Sequence, residues 1–523
     1  MVRAKVHNKI YFWLLVLLAI SIPVSEFIMS AAQIFLTLNW IIEGNFKQKY
    51  KRLKENKIIL YLVLLYFLHL IWLINTKDFD YALHDLKMKL PLLSLPFIIG
   101  TSNVITLKEL KTILFFFVGS VFVASIIIFI NLINLPDNFD PREASIFISH
   151  IRFSLMSVFS IFILAYYIVN DYKFTPKFLL IIYFIAAVWI GIVIYLLKSY
   201  TGITISLSVA LVLIVYYSFK IKHLILRLFV QVLFVTLMLI GISLIINTVA
   251  AFNKKEKVDF SNLEKYTESG NKYMHDIKSK LCENGHYIWL YYCEKELRKE
   301  WNKRSSINFD STNSQGFKIK NILVRYMSSK GLRKDSSGVA SLSDADIRNV
   351  ENGMANYIYE NPYSIKTLIY HLYWQIHNYM ETGYTQGSSL MLRFEYVKTA
   401  LNIISENFWF GTGTGDVKQA FKEQYIKQKT SLPEKQQRRT HNQYLTVWVS
   451  FGLVGFVFSI IFLFAPFILK RKKHLLFIIF FIIITISMFT EDTLENQAGI
   501  TFFTFFYCIF VVVKKEKNLK TNG

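Results

Sequence analysis

The chain has 523 residues, of which 53% are hydrophobic and 16% aromatic, and its mean hydropathy is +0.36. Soluble proteins of this length are rarely so apolar, and the alternating pattern of a membrane β-barrel is missing. The formal net charge of +23 does not indicate a nucleic-acid-binding protein. In the long polar segment acidic residues are mixed with the basic ones, and elsewhere the basic residues cluster in short connections between apolar runs. The composition predicts an all-α polytopic membrane protein.

Twelve apolar runs are candidates for membrane-spanning helices, each of which needs about 20 residues. The first run is predicted to be a retained helix rather than a signal peptide, because a second apolar run follows it with no small-residue cleavage site between them. The predicted spans lie near residues 10–24, 26–43, 58–75, 90–101, 112–134, 151–169, 178–196, 202–218, 228–250, 442–469, 475–489 and 498–513.

The connections between these runs alternate in charge. One set, which includes both termini, carries 24 Lys and Arg residues, whereas the opposite short loops carry five. Positively charged loops stay on the cytoplasmic side of a membrane. Both termini are therefore predicted to be cytoplasmic.

The predicted domains are an N-terminal membrane region of nine helices (1–250), a large polar loop (251–441), a C-terminal membrane region of three helices (442–513) and a basic cytoplasmic tail (514–523). By the same parity the loop lies outside the membrane, between helices 9 and 10. It holds 29 Lys and Arg against 21 Asp and Glu, and helix-cap and periodicity signals predict that it is mostly helical.

Two of the three cysteines, Cys282 and Cys293, lie in this loop. An oxidising environment would allow a disulfide between them, and the sequence leaves that pairing open. They show no CxxC spacing and have only His286 nearby, so the pattern argues against a zinc site.

His441 opens the tenth predicted helix at its outer end. One interpretation is an interfacial histidine with no chemical role. The other is a general base: Asn442 could orient the ring, and the positive field of Arg438 and Arg439 would favour the neutral imidazole, which accepts a proton. About three turns further along, Gly452 and Gly455 would allow another helix to approach closely beneath the site.

Three further cations are predicted on the same outer side. Arg393 lies in the loop, where it either pairs with a carboxylate such as Glu395 or Asp416 or binds a diphosphate with its planar fork. Arg152 begins the sixth helix and Lys198 lies in a short external turn; each alone fits an ordinary helix-end cation. Together they would suit a lipid diphosphate.

Two more stretches were considered for chemistry. Glu491 and Asp492, in the last external turn, are predicted to orient an arginine rather than to bind a metal. The segment FGTGTGD (410–416) is not a nucleotide loop, because no strand precedes it and no GK[ST] follows. It is predicted to be a flexible turn with exposed backbone amides.

His441-Asn442, nine residues and then Gly452-x-x-Gly455 match the pattern H[NSQ]x9GxxG, and on this motif the chain resembles the bacterial O-antigen ligase family. The resemblance implies twelve helices with a long periplasmic loop, in the inner membrane. It also implies transfer of a glycan from undecaprenyl diphosphate to lipid A–core, with no nucleotide or metal cofactor and no nucleic-acid partner.

The resemblance also implies residue roles. His441 would activate the acceptor hydroxyl, and Arg393 and Arg152 would bind the donor diphosphate. Many members carry an arginine where this chain has Thr201, so Lys198 would take its part. The two threonines that often follow the second glycine are also absent.

The acceptor stays open at this point. An O-antigen polymerase or a protein O-oligosaccharyltransferase would share the donor and the scaffold and differ only in the acceptor. A secondary transporter is a more distant alternative, because the two halves of the chain look unlike and the spans carry few ionisable residues.

Overall fold

The computed structural model describes residues 2–135, 140–173, 175–361, 364–382, 388–430 and 432–513. The predicted basic tail, 514–523, lies outside the described residues. The described chain forms two compact units. One contains the residues up to 217 and those from 392 onward, and the other contains residues 218–391.

Within the described residues, the first unit begins with ten α-helices, most of them apolar, among which α3 and α5 are short and polar. Their bounds are α1 (Val2–Ser21), α2 (Glu26–Glu43), α3 (Phe46–Glu55), α4 (Leu60–Ile71), α5 (Phe79–Met88), α6 (Pro91–Thr101), α7 (Leu107–Asn134), α8 (His150–Asn170), α9 (Lys177–Leu196) and α10 (Tyr200–Ser218).

The helix boundaries follow from local chemistry. Ser25 caps α2 by accepting the N–H of Ile28, and a proline at its first position starts α6. Thr106 and Glu109 form a reciprocal capping box at the start of α7. Helix starts of this kind are readable from the sequence, which explains why the predicted spans coincide with helices.

The second unit contains α11 (Leu224–Asn253), α12 (Glu294–Arg304), α13 (Ile319–Ser329), α14 (Ser336–Ala340), α15 (Asp344–Glu351) and α16 (Ile365–Thr382). A two-stranded antiparallel sheet pairs Cys282–Glu283 with His286–Tyr287. A buried cluster that includes Trp301 and Tyr326 forms its core. Cys282 and Cys293 are both free thiols, so the disulfide that the sequence left open is not formed.

The first unit resumes with α17 (Ser389–Glu406), α18 (Val417–Lys427), α19 (Gln443–Leu469), α20 (Leu475–Ser487) and α21 (Gln497–Val512). The change in composition at 441 is therefore not a boundary between compact units, because residues 392–441 belong to the same unit as the apolar helices.

The core of the first unit surrounds α21, which is buried from Ala498 to Val512. Phe506 of α21 packs against Phe117 and Phe159, with ring centroids 4.8 and 5.2 Å apart. Aromatic pairs in this range contribute about 0.5–1.5 kcal/mol beyond their buried area. Because α21 begins directly after the turn at 488–496, this core also anchors that turn.

The protein is an all-α polytopic membrane protein. In the described part of the chain, seven helices are long and apolar enough to cross a membrane, or eight if the bent pair Glu26–Glu43 and Phe46–Glu55 is one span. Leu475–Ser487 and Gln497–Val512 are shorter apolar helices. Each of the twelve predicted runs coincides with a helix, while the number of crossings and the side on which the loop lies stay predictions.

Candidate active site

His441 lies immediately before α19 and adopts a left-handed backbone, with φ of +49°. Its neighbour Asn442 caps the helix, accepting the N–H of Leu445 at 3.1 Å and donating to the carbonyl of Phe489 at 3.1 Å. These two hydrogen bonds of the Asn442 side chain go to backbone groups and not to the imidazole ring, so its role in orienting the ring stays a prediction. Asn442 fixes the backbone that carries His441 and ties it to the turn at 488–496.

Glu491 brings His441 and Arg393 together. Its Oε2 lies 3.5 Å from Nδ1 of His441, and its Oε1 accepts from Nη2 of Arg393 at 2.9 Å. Arg393 also donates to the carbonyl of Thr490 at 2.6 Å. The prediction that this turn orients an arginine is confirmed, and the partner of Arg393 is Glu491 rather than Glu395 or Asp416.

Helix α17 presents a second side chain to His441. Tyr396 is three residues from Arg393 and therefore on the same helix face. Its ring lies 5.7 Å from the imidazole, centroid to centroid, and its hydroxyl donates to the carbonyl of Gln436 at 2.7 Å. The imidazole is thus held between an aromatic ring and a carboxylate.

Arg152 lies in the first turn of α8 and is partly buried. Glu491, Glu26 and Asp492 are the carboxylates whose charges act on it. Among the hydrogen bonds and ion pairs of the described residues, none involves its guanidinium group. Arg152 therefore faces the same carboxylates as the other site residues but keeps its donors available.

Lys198 follows α9 in a left-handed conformation, with φ of +49°. Its N–H donates to the carbonyl of Tyr195 at 2.9 Å, and the next N–H, of Ser199, reaches Ile194 at 3.3 Å. This is the hydrogen-bond pattern of a Schellman helix end, in which glycine is the usual residue at the left-handed position. Ser199 then accepts from Ser154 of α8 at 2.7 Å, which holds the turn against the helix that carries Arg152.

The two arginines before His441 diverge. Arg439 turns toward a buried cluster, donating to Glu495 at 3.3 Å and to the hydroxyl of Tyr81 at 2.9 Å. Its charge is thus directed to Glu495, and the ion-pair partner of the imidazole among the described residues is Glu491. The backbone carbonyl of Arg438 accepts from Tyr425 at 2.7 Å, which ties this segment to α18.

The buried cluster joins residues far apart in the sequence. Lys89 lies 2.6 Å from Asp85 and 2.9 Å from Glu495, and their side chains are 3, 4 and 9% exposed. Burial alone would raise the pKa of Glu495, but Lys89 and Arg439 outweigh it and hold that pKa well below its usual range. Gln443 completes the cluster by donating to Glu495 at 2.9 Å. The first turn of α19 is therefore fixed by a compensated group of charges.

Asp492 lies in the same turn with a different environment. Its carboxylate accepts from the hydroxyl of Thr446 at 2.7 Å, and Thr446 lies 2.9 Å from Thr440. Burial and the neighbouring charge of Glu495 raise the pKa of Asp492. The turn thus carries three carboxyl groups, of which Glu491 alone contacts His441 and Arg393 in the described chain.

Helix α19 is broken at Gly452, whose φ and ψ are +62° and −171°. The segment 408–413 fills the break: the N–H groups of Thr412 and Gly413 donate to Val449 and Ser450 at 2.9 Å, and Leu453 donates to Phe408 at 2.7 Å. The backbone groups that the break frees are therefore satisfied, as they must be inside a membrane protein.

The glycines make this crossing possible. A Cβ on Gly452 would lie 2.3 Å from backbone atoms of Trp409 and Phe410, and one on Gly455 would lie 3.0 Å from the ring of Trp72. At Gly452 the closely approaching segment is thus not a helix but the loop that holds Trp409 and Phe410. The predicted exposure of amides in 410–416 is wrong at Thr412 and Gly413, because those amides bond to α19.

A comparison with protein-family models matches residues 353–460 to the O-antigen ligase family. The chain carries an O-antigen ligase domain. This domain indicates a glycan-transferring enzyme of the O-antigen ligase and polymerase type. The resemblance drawn from the motif at His441 is thereby confirmed. A comparison with curated proteins gave no match.

The matched ligase domain contains Arg393, His441 and both glycines, but the turn with Glu491 lies beyond its end. Arg152 and Lys198 lie before its start. The candidate site is therefore assembled from the ligase domain and from segments on either side of it in sequence.

Sequence reasoning missed two residues near the candidate active site. His150 begins α8, and the charges of Arg142, Glu491 and Arg393 act on it. The guanidinium group of Arg142 lies 6.0 Å from the ring centroid of Tyr200, beside the turn of Lys198. A count of cations at the outer helix ends could have found Arg142. No group of three His, Cys, Asp or Glu side chains suited to a metal ion occurs within the described ranges.

Proposed function

We propose that the protein transfers a glycan from undecaprenyl diphosphate to lipid A–core at the periplasmic face of a bacterial inner membrane. The observation that carries this proposal is the carboxylate of Glu491, which is shared by His441 and Arg393. His441, as a base, is placed to act on the bond that forms at a sugar carbon. Arg393, held by the same carboxylate, is placed to act on the bond that breaks at that carbon.

His441 is the proposed general base. A carboxylate beside Nδ1 favours the tautomer with its proton on that nitrogen, which leaves Nε2 free to accept a proton. In the proposed reaction Nε2 takes the proton of the acceptor hydroxyl. The acceptor oxygen then attacks the anomeric carbon on the face opposite the diphosphate.

The bond between the anomeric carbon and the phosphate oxygen breaks in the same step, and the sugar is inverted. Undecaprenyl diphosphate leaves with the bonding electrons. Arg393, Arg152 and Lys198 are the proposed diphosphate ligands, and a preorganised donor at a developing charge contributes about 3 kcal/mol. The proposed reaction uses neither a nucleotide nor a metal ion.

The decisive experiment is reconstitution of the purified protein with undecaprenyl-diphosphate glycan and lipid A–core, in EDTA and without nucleotide. The control is His441→Asn, because asparagine tolerates the left-handed backbone of that position without a strain penalty. We expect glycan on lipid A–core from the wild type and at least about a hundredfold less from the variant.

The products separate the alternatives. Longer lipid-linked chains would identify a polymerase, and transfer to an added protein would identify a protein glycosyltransferase. Release of no undecaprenyl diphosphate with any acceptor would overturn the proposal, as would full activity of His441→Asn.

A further inference from the structure

We propose that a groove between α2, α5, α6 and the start of α21 binds the acceptor of the transfer reaction, a phosphorylated glycolipid. This inference rests on the proposed function and adds the place and chemistry of the second substrate. The groove has a volume of about 810 Å3. This lies toward the upper end of ligand pockets, which are about 300–1,000 Å3, so the groove can hold a large part of a glycolipid.

A polar stripe runs along the groove wall formed by α2. Glu26, Ser30, Gln33 and Thr37 are spaced by four, three and four residues, so they share one face of the helix over three turns. Polar side chains on a helix of a membrane protein are costly unless they face a partner or a polar cavity. The stripe indicates that this groove receives polar groups of a ligand.

The stripe presents hydrogen-bond acceptors. The hydroxyls of Ser30 and Thr37 donate to the carbonyls of their own helix, at 2.9 and 2.8 Å, and Gln33 donates its amide to Thr501 at 3.2 Å. Gln497 also donates to the hydroxyl of Ser30. One N–H of Gln33 and the remaining oxygen lone pairs of the stripe are left for a ligand. A row of acceptors recognises a ligand that donates, and sugar hydroxyls are such donors.

Two basic side chains lie where the groove meets α5. His84 and Lys87 are three residues apart, both are exposed, and within the described chain neither forms an ion pair or a side-chain hydrogen bond. The ammonium group of Lys87 is a free cation within the described chain, and such a group attracts phosphate. Glu26 adds a carboxylate to the same region, which accepts hydrogen bonds from hydroxyls but repels phosphate. Together, the carboxylate and the basic side chains favour a ligand that carries both hydroxyl and phosphate groups.

The remaining groove wall is apolar. Ile34, Leu38 and Leu90 line it and are 59, 45 and 45% exposed. They fit acyl chains. A polyprenyl chain has no hydroxyl groups and would leave the remaining hydrogen-bonding capacity of the stripe unused, so the groove favours the acceptor over the donor.

The groove adjoins the candidate active site. Asn496, the last residue of the turn that carries Glu491, lines the groove together with Gln497, which follows it. Glu26 is one of the carboxylates whose charge acts on Arg152. A sugar held along the stripe would therefore extend toward the side of the site where Arg152 and Glu491 lie.

The test uses the full-length protein in nanodiscs. Benzoylphenylalanine replaces Leu38 in the groove and, as a control, Trp13 of α1, which lines a separate apolar surface depression. The probe is radiolabelled lipid A–core. We expect light-dependent labelling at position 38 that exceeds the labelling at position 13 and is competed by unlabelled lipid A–core but not by phosphatidylethanolamine.

A kinetic test uses Gln33→Leu, with Gln231→Leu of α11 as the matched control for removing an amide from an apolar helix. Loss of a hydrogen bond to the acceptor should raise the KM for lipid A–core about tenfold in Gln33→Leu and leave the KM for the donor unchanged. The control should change neither value.

Equal labelling at positions 38 and 13, preferential labelling at 38 by the undecaprenyl donor, or an unchanged KM for lipid A–core would overturn the inference. Failure of the proposed function has a different signature. In that case the wild type forms no transfer product, whereas labelling of position 38 by lipid A–core still reports whether the groove binds it.

Discussion

Glu491 holds its Oε2 3.5 Å from Nδ1 of His441. This distance is longer than a close hydrogen bond and within the range of an ion pair, so the carboxylate can support a positive imidazole after proton transfer. The same carboxylate bonds to Arg393 through its other oxygen. The turn at 488–496 is thus a positioning element for the proposed base.

Glu491→Gln should lower kcat by about a hundredfold or more, because the amide has the same shape but cannot stabilise the imidazolium. The KM for the donor should change little, since Arg393 keeps its bond to the carbonyl of Thr490. Steady-state kinetics with lipid-linked glycan measure both values. An unchanged kcat would remove Glu491 from the mechanism.

Lys198→Gly separates the charge of Lys198 from its backbone role. Glycine is favoured at the left-handed position of this helix end. The free energy of unfolding should therefore stay the same or rise by up to about 1 kcal/mol, and the melting temperature should not fall. If the amine binds the diphosphate, kcat/KM for the donor should fall about tenfold. Activity equal to wild type would leave Lys198 with a structural role only.

Glu495→Gln should destabilise the protein by about 3–5 kcal/mol, because it leaves buried basic groups without their charged partner. The loss of the monodisperse protein peak on heating in detergent measures the change. Glu406→Gln is the matched control. It breaks an exposed pair with Lys427 and should have no measurable effect.

The effect of Glu495→Gln should depend on pH. The pKa of Glu495 is lower in the folded state than in the unfolded chain. Its contribution is therefore complete above the unfolded value of about 4.3 and is lost as the pH falls below it. The difference in melting temperature between wild type and variant should be constant from pH 7 to 6 and shrink toward pH 3.5. A difference that grows on acidification would contradict this assignment.

Gly452→Ala should destabilise the protein strongly. Its backbone angles lie in a region that is essentially restricted to glycine, and a Cβ would overlap the backbone of Trp409 and Phe410. Gly191→Ala in α9 is the control, because a Cβ there meets nothing within 4 Å and alanine favours a helix. The yield of folded protein compares them, and equal yields would contradict the role assigned to Gly452.

The sequence predicts the helices and the motif residues because their signals are local. His441 and Arg393 were identified from residue type and helix position, and the structure brings them together through Glu491. The pair of Lys89 with Asp85 spans one helical turn and is a local signal. The sequence could not predict that Glu495, 406 positions distant, is the second partner of Lys89. It also could not predict that the glycines break α19, since a helix interrupted by a crossing chain has the same apolar pattern as a continuous one.

The span of 406 residues between Lys89 and Glu495 has a consequence for biosynthesis. Ribosomes add about 5–20 residues per second, so Lys89 is made about 20–80 s before Glu495. During that time the pair with Asp85, four residues away, is the local neutralisation available to the amine. The early helices must therefore wait in the bilayer, or beside an insertase, until α19, α20 and the turn after them are translated. A nascent chain that stalls before residue 495 would hold Lys89 in an incomplete charge cluster, without its partner Glu495.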